Sequence, residues 1–180
     1  RHQGIIANPN CTTAIAALPL WVLEQRYGLK KVIVSTYQAV SGAGKAAMDE
    51  LEQQIYEYNL KEPLTIKNFA YQILGNIIPH IDVFQENGYT KEEMKMVWET
   101  RKIFSRPDLQ ISCTAVRVPI MRAHSESIVV ETASPVNADE AREIMKNSQG
   151  IEVVDDPANR QYPMPLFASH KFDVQVGRIR

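Results

Sequence analysis

The chain has 180 residues, 44% of them hydrophobic and 23% charged, with 20 basic against 21 acidic side chains and a formal charge of −1. That composition suits a folded domain with a real core and argues against disorder. It lacks the basic stripe of a nucleic-acid binder, no apolar run approaches the roughly 20 residues that span a bilayer, and the start does not read as a signal peptide.

RHQGIIANPN, 1 to 10, reads as the end of a strand followed by a turn, not as a free beginning. CTTAIAALPLWVLEQR, 11 to 26, reads as a helix with Pro19 as a kink and Gly28 just past its end. KKVIVSTYQAV, 30 to 40, is β-branched and aromatic, a strand. SGAG breaks that pattern, and 45 to 59 predicts an amphipathic helix with Ala47, Leu51, Ile55 and Tyr58 as its apolar face. Recurring Pro, Gly and Asn between 60 and 90 predict loops and short elements. From Thr90, with Glu93 three residues on, a capping box opens a helix to 104. Strands are expected at 110 to 120 and 125 to 133, a capped helix from Asn137 towards Gly150, and strands again at 151 to 156 and 172 to 180. Strands outnumber helices without strict alternation. The expected class is therefore α+β, one mixed, largely antiparallel sheet with helices packed on one face. The last residues, VGRIR, stop inside a predicted strand, so both ends read as cut and the chain as part of a longer protein.

The chemistry-bearing residues are few. Cys11 and Cys113 are the only cysteines, and His2, His80, His124 and His170 are scattered, so no metal site is expected. A disulfide between the two cysteines is disfavoured, because the chain is large enough to do without one and shows no sign of export; a cytoplasmic protein is the default. Cys11 opens a helix. A buried, inert thiol would be ordinary there, but the unsatisfied amides and partial positive charge of a helix N-terminus also favour a thiolate nucleophile. STYQAVSGAGK, 35 to 45, ends a strand in a glycine-rich turn of the kind that approaches anions. It is not a nucleotide P-loop, since Ala39 replaces the first glycine and Ala46 the Ser or Thr after Lys45. Glu99 and Lys102 share one face of a helix, which by spacing alone is a solvated ion pair. Arg117 and His124 stand seven apart across Pro119, and each alone reads as structural.

Together, NPNCTT at 8 to 13, STYQAVSGAG at 35 to 44, ETRK at 99 to 102 and RVPIMRAH at 117 to 124 resemble the catalytic and dimerisation domain of the aspartate-semialdehyde dehydrogenase family. The likeness keeps the family's order and covers nearly all 180 residues, including GYTKEEMKM before ETRK. It implies the C-terminal domain fold of glyceraldehyde-3-phosphate dehydrogenase over 1–180, with the family's N-terminal NADP-binding domain and its final C-terminal segment lying outside this sequence. It implies Cys11 as nucleophile, His124 as acid/base, and Gln38 as a partner that orients the bound intermediate. Arg117 would take the substrate α-carboxylate, Glu99 its ammonium group and Lys102 the phosphate, while Ser41, Gly42, Ala43 and Gly44 would lie against the nicotinamide end of NADP. The implied reaction is the reversible conversion of L-aspartyl 4-phosphate to L-aspartate 4-semialdehyde in lysine, methionine and threonine biosynthesis. A homodimer is implied, and the isolated piece is expected to be inactive.

The residue types suit that chemistry. A thiolate attacks an aldehyde and later leaves from a thioester, an imidazole manages protons, and an Arg fork grips a carboxylate bidentately. N-acetylglutamyl-phosphate reductase is the nearest rival, but its acylated amine would leave Glu99 without a partner. A cysteine hydrolase lacks its local signatures here. A dimerisation module without catalysis of its own is the non-enzymatic alternative.

Overall fold

A computed structural model describes residues 3–180; Arg1 and His2 lie outside it, so the expectation for His2 is not addressed. Residues 3–10 form no strand, contrary to the sequence reading: Ile5 and Ile6 stand exposed with no neighbouring strand to pair with. Helix α1 runs Cys11–Tyr27 with Pro19 inside it and ends at Gly28, whose φ of 68° suits a residue without a side chain. Strand β1, Leu29–Gln38, follows directly. A 3₁₀ turn, Val40–Ala43, leads into α2, Lys45–Leu60. After the long connection come α3 (Lys91–Phe104), β2 (Gln110–Arg117), β3 (Ser125–Thr132), α4 (Ala138–Lys146), β4 (Ile151–Val153), a four-residue α5 (Pro165–Ala168) and β5 (Val174–Val176). The 3₁₀ turn at 157–159 and α5 are absent from the sequence reading. Helix α4 stops short of Gly150 because Asn147 takes its C-cap.

The main sheet is mixed, in the order β2-β1-β3: β2 runs parallel to β1, with Gln38 beside Arg117, and β3 runs antiparallel to it. A small parallel pair, β4 and β5, forms a second sheet. Alternation along β1 turns Leu29, Val32, Val34, Thr36 and Gln38 inward and leaves Lys31, Ile33, Ser35 and Tyr37 outward. Against the inward face sit α1 and α3. Ala16, Leu20, Met96 and Phe104 from these helices and Cys113 from β2 close one core around the β1 residues. Among the described residues no helix covers the outward face, where Ile33, Tyr37 and Val129 are exposed.

Helix α2 departs from its predicted face. Ala47 and Leu51 are buried with Val40, Ile73 and Ile78, but Ile55 and Tyr58 are exposed. The buried row is instead Glu50, Gln54 and Glu57. Gln54 Oε1 accepts the N–H groups of Ile73 and Leu74, Glu50 accepts that of Asn68, and Glu57 that of Thr65. A connection without its own ladder must satisfy its backbone elsewhere, and these side chains do so.

Candidate active site

Asn10 caps α1, its Oδ1 accepting from Thr12 N–H at 3.1 Å, so Cys11 becomes the first helical residue. The turn that carries it is tied to α3 from below. Glu99 Oε2 accepts the Asn10 N–H at 2.7 Å, and Glu92 Oε1 accepts Asn10 Nδ2 at 3.0 Å. Seven residues apart on α3, these two carboxylates share a helix face. Glu99, expected to meet an ammonium group, therefore also holds the turn before the thiol. Lys102 is exposed one turn further along.

Glu92 was not picked out by the sequence, where it reads as an ordinary acidic residue of a helix's first turn. It is the hub of the site. Burial alone would raise its pKa, but donation from Asn10, from Gln38 Nε2 at 3.0 Å and from Lys95 holds it below the usual carboxylate range. Gln38 is buried, its Oε1 accepting from Thr36 Oγ1 at 3.0 Å and its amide donating to Glu92.

Both cysteines are free thiols, Cys11 exposed and Cys113 buried. The helix start does not make Cys11 acidic. Protein crowded around the sulfur and the charge of Glu92 raise its pKa, outweighing the amides of residues 11 and 12 and the guanidinium of Arg117. This corrects the expectation of a lowered thiol pKa. Burial of the sulfur is the larger cause, and a carboxylate 81 residues away in the chain adds to it.

Arg117 ends β2. Its backbone is fixed between Gln38 on one side and a bridge to Ile78 on the other. The side chain is buried, Nη1 donates to the Ala39 carbonyl at 2.7 Å, and among the described residues no carboxylate lies within salt-bridge distance. A buried cation without a counter-ion is a ready receptor for an anion. His124 precedes β3. Its Nδ1 faces the Ala39 N–H at 3.0 Å, and burial, with Arg117 beside it, pushes its pKa down, so the ring is neutral near pH 7. Gly42 lies against both: a Cβ there would stand 2.9 Å from Arg117 Nη1 and 3.1 Å from His124 Nε2. Ser41 is half-buried, whereas Gly42, Ala43 and Gly44 are exposed.

The carboxyl ends of β1 and β2, the start of β3 and the N-terminus of α1 thus bring Cys11, Gln38, the 41–44 turn, Arg117 and His124 into one region. Cys11, Arg117 and Glu92 act on one another's charge, as do His124, Arg117 and Glu92. A nucleophile, a neutral imidazole and an unpaired guanidinium at strand ends can bind an anionic carbonyl compound and add sulfur to it.

Residues 20–180 match the family described as semialdehyde dehydrogenase, dimerisation domain. Among curated relatives, the aspartate-semialdehyde dehydrogenases of Aquifex aeolicus (strain VF5) and Bacillus subtilis (strain 168) are each 48% identical, over 100% and 99% of this chain but 53% and 54% of their own lengths. The chain spans about half the length of these relatives. Of solved structures, aspartate semialdehyde dehydrogenase II from Vibrio cholerae superposes with a TM-score of 0.94 at 43% identity, over 98% of this chain and 52% of that one. A second structure of that protein is complexed with ASA, at 42% identity and the same TM-score and coverage. The Candida albicans aspartate semialdehyde dehydrogenase with NADP gives a TM-score of 0.69 at 25% identity, over 98% of this chain and 49% of that one.

Proposed function

Because this chain belongs to the semialdehyde dehydrogenase family, in the part described as its dimerisation domain, we propose that it is the catalytic and dimerisation portion of an aspartate-semialdehyde dehydrogenase. The reaction is the reversible conversion of L-aspartyl 4-phosphate to L-aspartate 4-semialdehyde, through a thioester on Cys11, in cytoplasmic synthesis of lysine, methionine and threonine. The observation that carries this reading is the exposed Cys11 within reach of the charge of Arg117, a buried guanidinium with no carboxylate within salt-bridge distance among the described residues.

In this reading Arg117 takes the substrate α-carboxylate as a bidentate fork, and Glu99 takes the ammonium group. Lys102, one helical turn from Glu99 and exposed, meets the phosphate. Gln38, anchored by Thr36 and Glu92, borders the thioester, and His124 serves the oxygen of the reacting carbon. Two fixed charges on the substrate place its carbonyl against the sulfur, a positioning effect worth several kcal/mol. Gly42, Ala43 and Gly44 make an exposed floor with almost no side chain beside His124, which fits a flat ring lying close to the backbone. Nicotinamide from NADP, when bound there, supplies or accepts the hydride. The remaining NADP contacts belong to the half of the relatives' length that this chain does not span.

The homodimer forms through the sheet's outward face, where Ile33, Tyr37 and Val129 are 47%, 42% and 63% exposed on adjoining strands. The test of the whole reading is an assay of phosphate-dependent oxidation of aspartate semialdehyde by the full-length protein. Turnover that disappears in Cys11→Ser is expected; turnover that survives that change overturns it. The chain by itself should show no turnover.

A further inference from the structure

Glu92 is buried in the first turn of α3, and the three groups bonded to its carboxylate are all donors. Oε1 accepts from Asn10 Nδ2 and from Gln38 Nε2, each at 3.0 Å, while Oε2 accepts from Lys95 Nζ at 3.1 Å. One oxygen atom thus joins the residue before Cys11 to the last residue of β1. Asn10 has little freedom left, because its N–H goes to Glu99 Oε2 and its Oδ1 accepts from the N–H and Oγ1 of Thr12. Gln38 is equally committed. Its Oε1 accepts from Thr36 Oγ1, and turning the amide over would set that oxygen against the Glu92 carboxylate. Lys95 is steadied from its far side by Asp82 Oδ2 at 3.0 Å, in the connection before α3. The charge of Glu92 reaches Cys11, Arg117 and His124, so the carboxylate stands amid the reacting groups.

We propose that Glu92 is a positioning residue of the reaction: through one oxygen it fixes the Cys11 turn and the Gln38 amide at a set separation, and it needs its charge to do so. This rests on the function proposed above, in which Gln38 borders the thioester. Glu92 acts through Asn10 and Gln38. Three donors around two oxygens call for a group that only accepts. Glutamine has the shape but not the chemistry. With its oxygen towards the two amides, its NH2 meets the Lys95 ammonium; turned over, the NH2 meets both amide donors.

In the full-length protein, Glu92→Gln should lower kcat about 10- to 100-fold. KM should stay within about threefold, because Arg117 and Glu99 still meet the charged ends of the substrate. When Gln38 is already alanine, the same change should cost at least about threefold less. Unchanged kcat with a lowered urea midpoint, or losses that simply multiply, overturns the proposal. Should Glu92→Gln fail to fold, Glu92→Asp is read by the same criteria, since it keeps the charge but lacks the methylene needed to reach both amides. Independently of turnover, ¹H–¹⁵N spectra of the ¹⁵N-labelled chain should show the Gln38 side-chain amide exchanging slowly with solvent, and at least about tenfold faster in the variant. Equal exchange overturns the proposal. If the full-length parent has no semialdehyde activity, the functional reading fails, while the exchange rates still decide whether Glu92 holds Gln38.

Discussion

Replacing Glu126 with glutamine should stabilise the fold, and by more at neutral pH than in acid. Glu126 sits on β3, and both of its carboxyl oxygens are buried without a hydrogen-bond partner among the described residues. Burial alone raises its pKa to about 8, against 4.5 for a free glutamate. The direction of the linkage follows. Between these values the folded chain keeps a proton that the unfolded chain has shed, so stability falls as pH rises from the lower value to the upper. At about 1.4 kcal/mol per pH unit, the cost is about 1 kcal/mol near pH 5, about 3 near pH 7 and about 5 near pH 9. Glutamine of nearly the same shape cannot ionise and escapes it. Urea unfolding of the chain and of Glu126→Gln at about pH 5 and pH 7 should therefore give stability differences that diverge by about 2 to 3 kcal/mol. Other titrating groups cancel in the comparison. Equal differences at the two pH values would show that the carboxylate finds solvent or a partner, and the reasoning would fail.

Iodoacetamide near pH 7 should label Cys11 and spare Cys113, which is 2% exposed and pushed up to about 12 by burial first and then by Glu126, Glu93 and Glu92; equal labelling by mass spectrometry refutes this. Thr90→Ala removes a capping box in which Thr90 Oγ1 accepts from Glu93 N–H and Glu93 Oε2 from Thr90 N–H, and should cost about 1 kcal/mol in urea unfolding. Gly42→Ala drives a Cβ against Arg117 and His124, whose side-chain ends can shift. Unfolding should move by less than about 1 kcal/mol. Turnover of the full-length protein should fall about 10- to 100-fold. Unchanged turnover would separate Gly42 from the site.

Local pattern determined most of the secondary structure. The caps at Asn10, Thr90 and Asn137 mark the starts of α1, α3 and α4, and β-branched runs mark β1, β2 and β3, because caps and periodicity act over only a few residues. The same short stretches carried Cys11, Gln38, Glu99, Lys102, Arg117, His124 and the 41–44 turn as candidates by resemblance. What the sequence by itself left undecided was the electrical state of those groups. Glu92 reads as a solvated first-turn acid until Asn10 and Gln38, 82 and 54 residues away, bring their amides to it. The rise of the Cys11 pKa, the fall of the His124 pKa and the solitary burial of Glu126 likewise arise where distant segments meet. The polar buried face of α2 arises in the same way, from a connection that borrows the helix's side chains for its backbone. Periodicity records which face of an element turns inward. Charge and proton position depend on dielectric and on partners, which exist only once the strand ends, the helix start and the loops have come together.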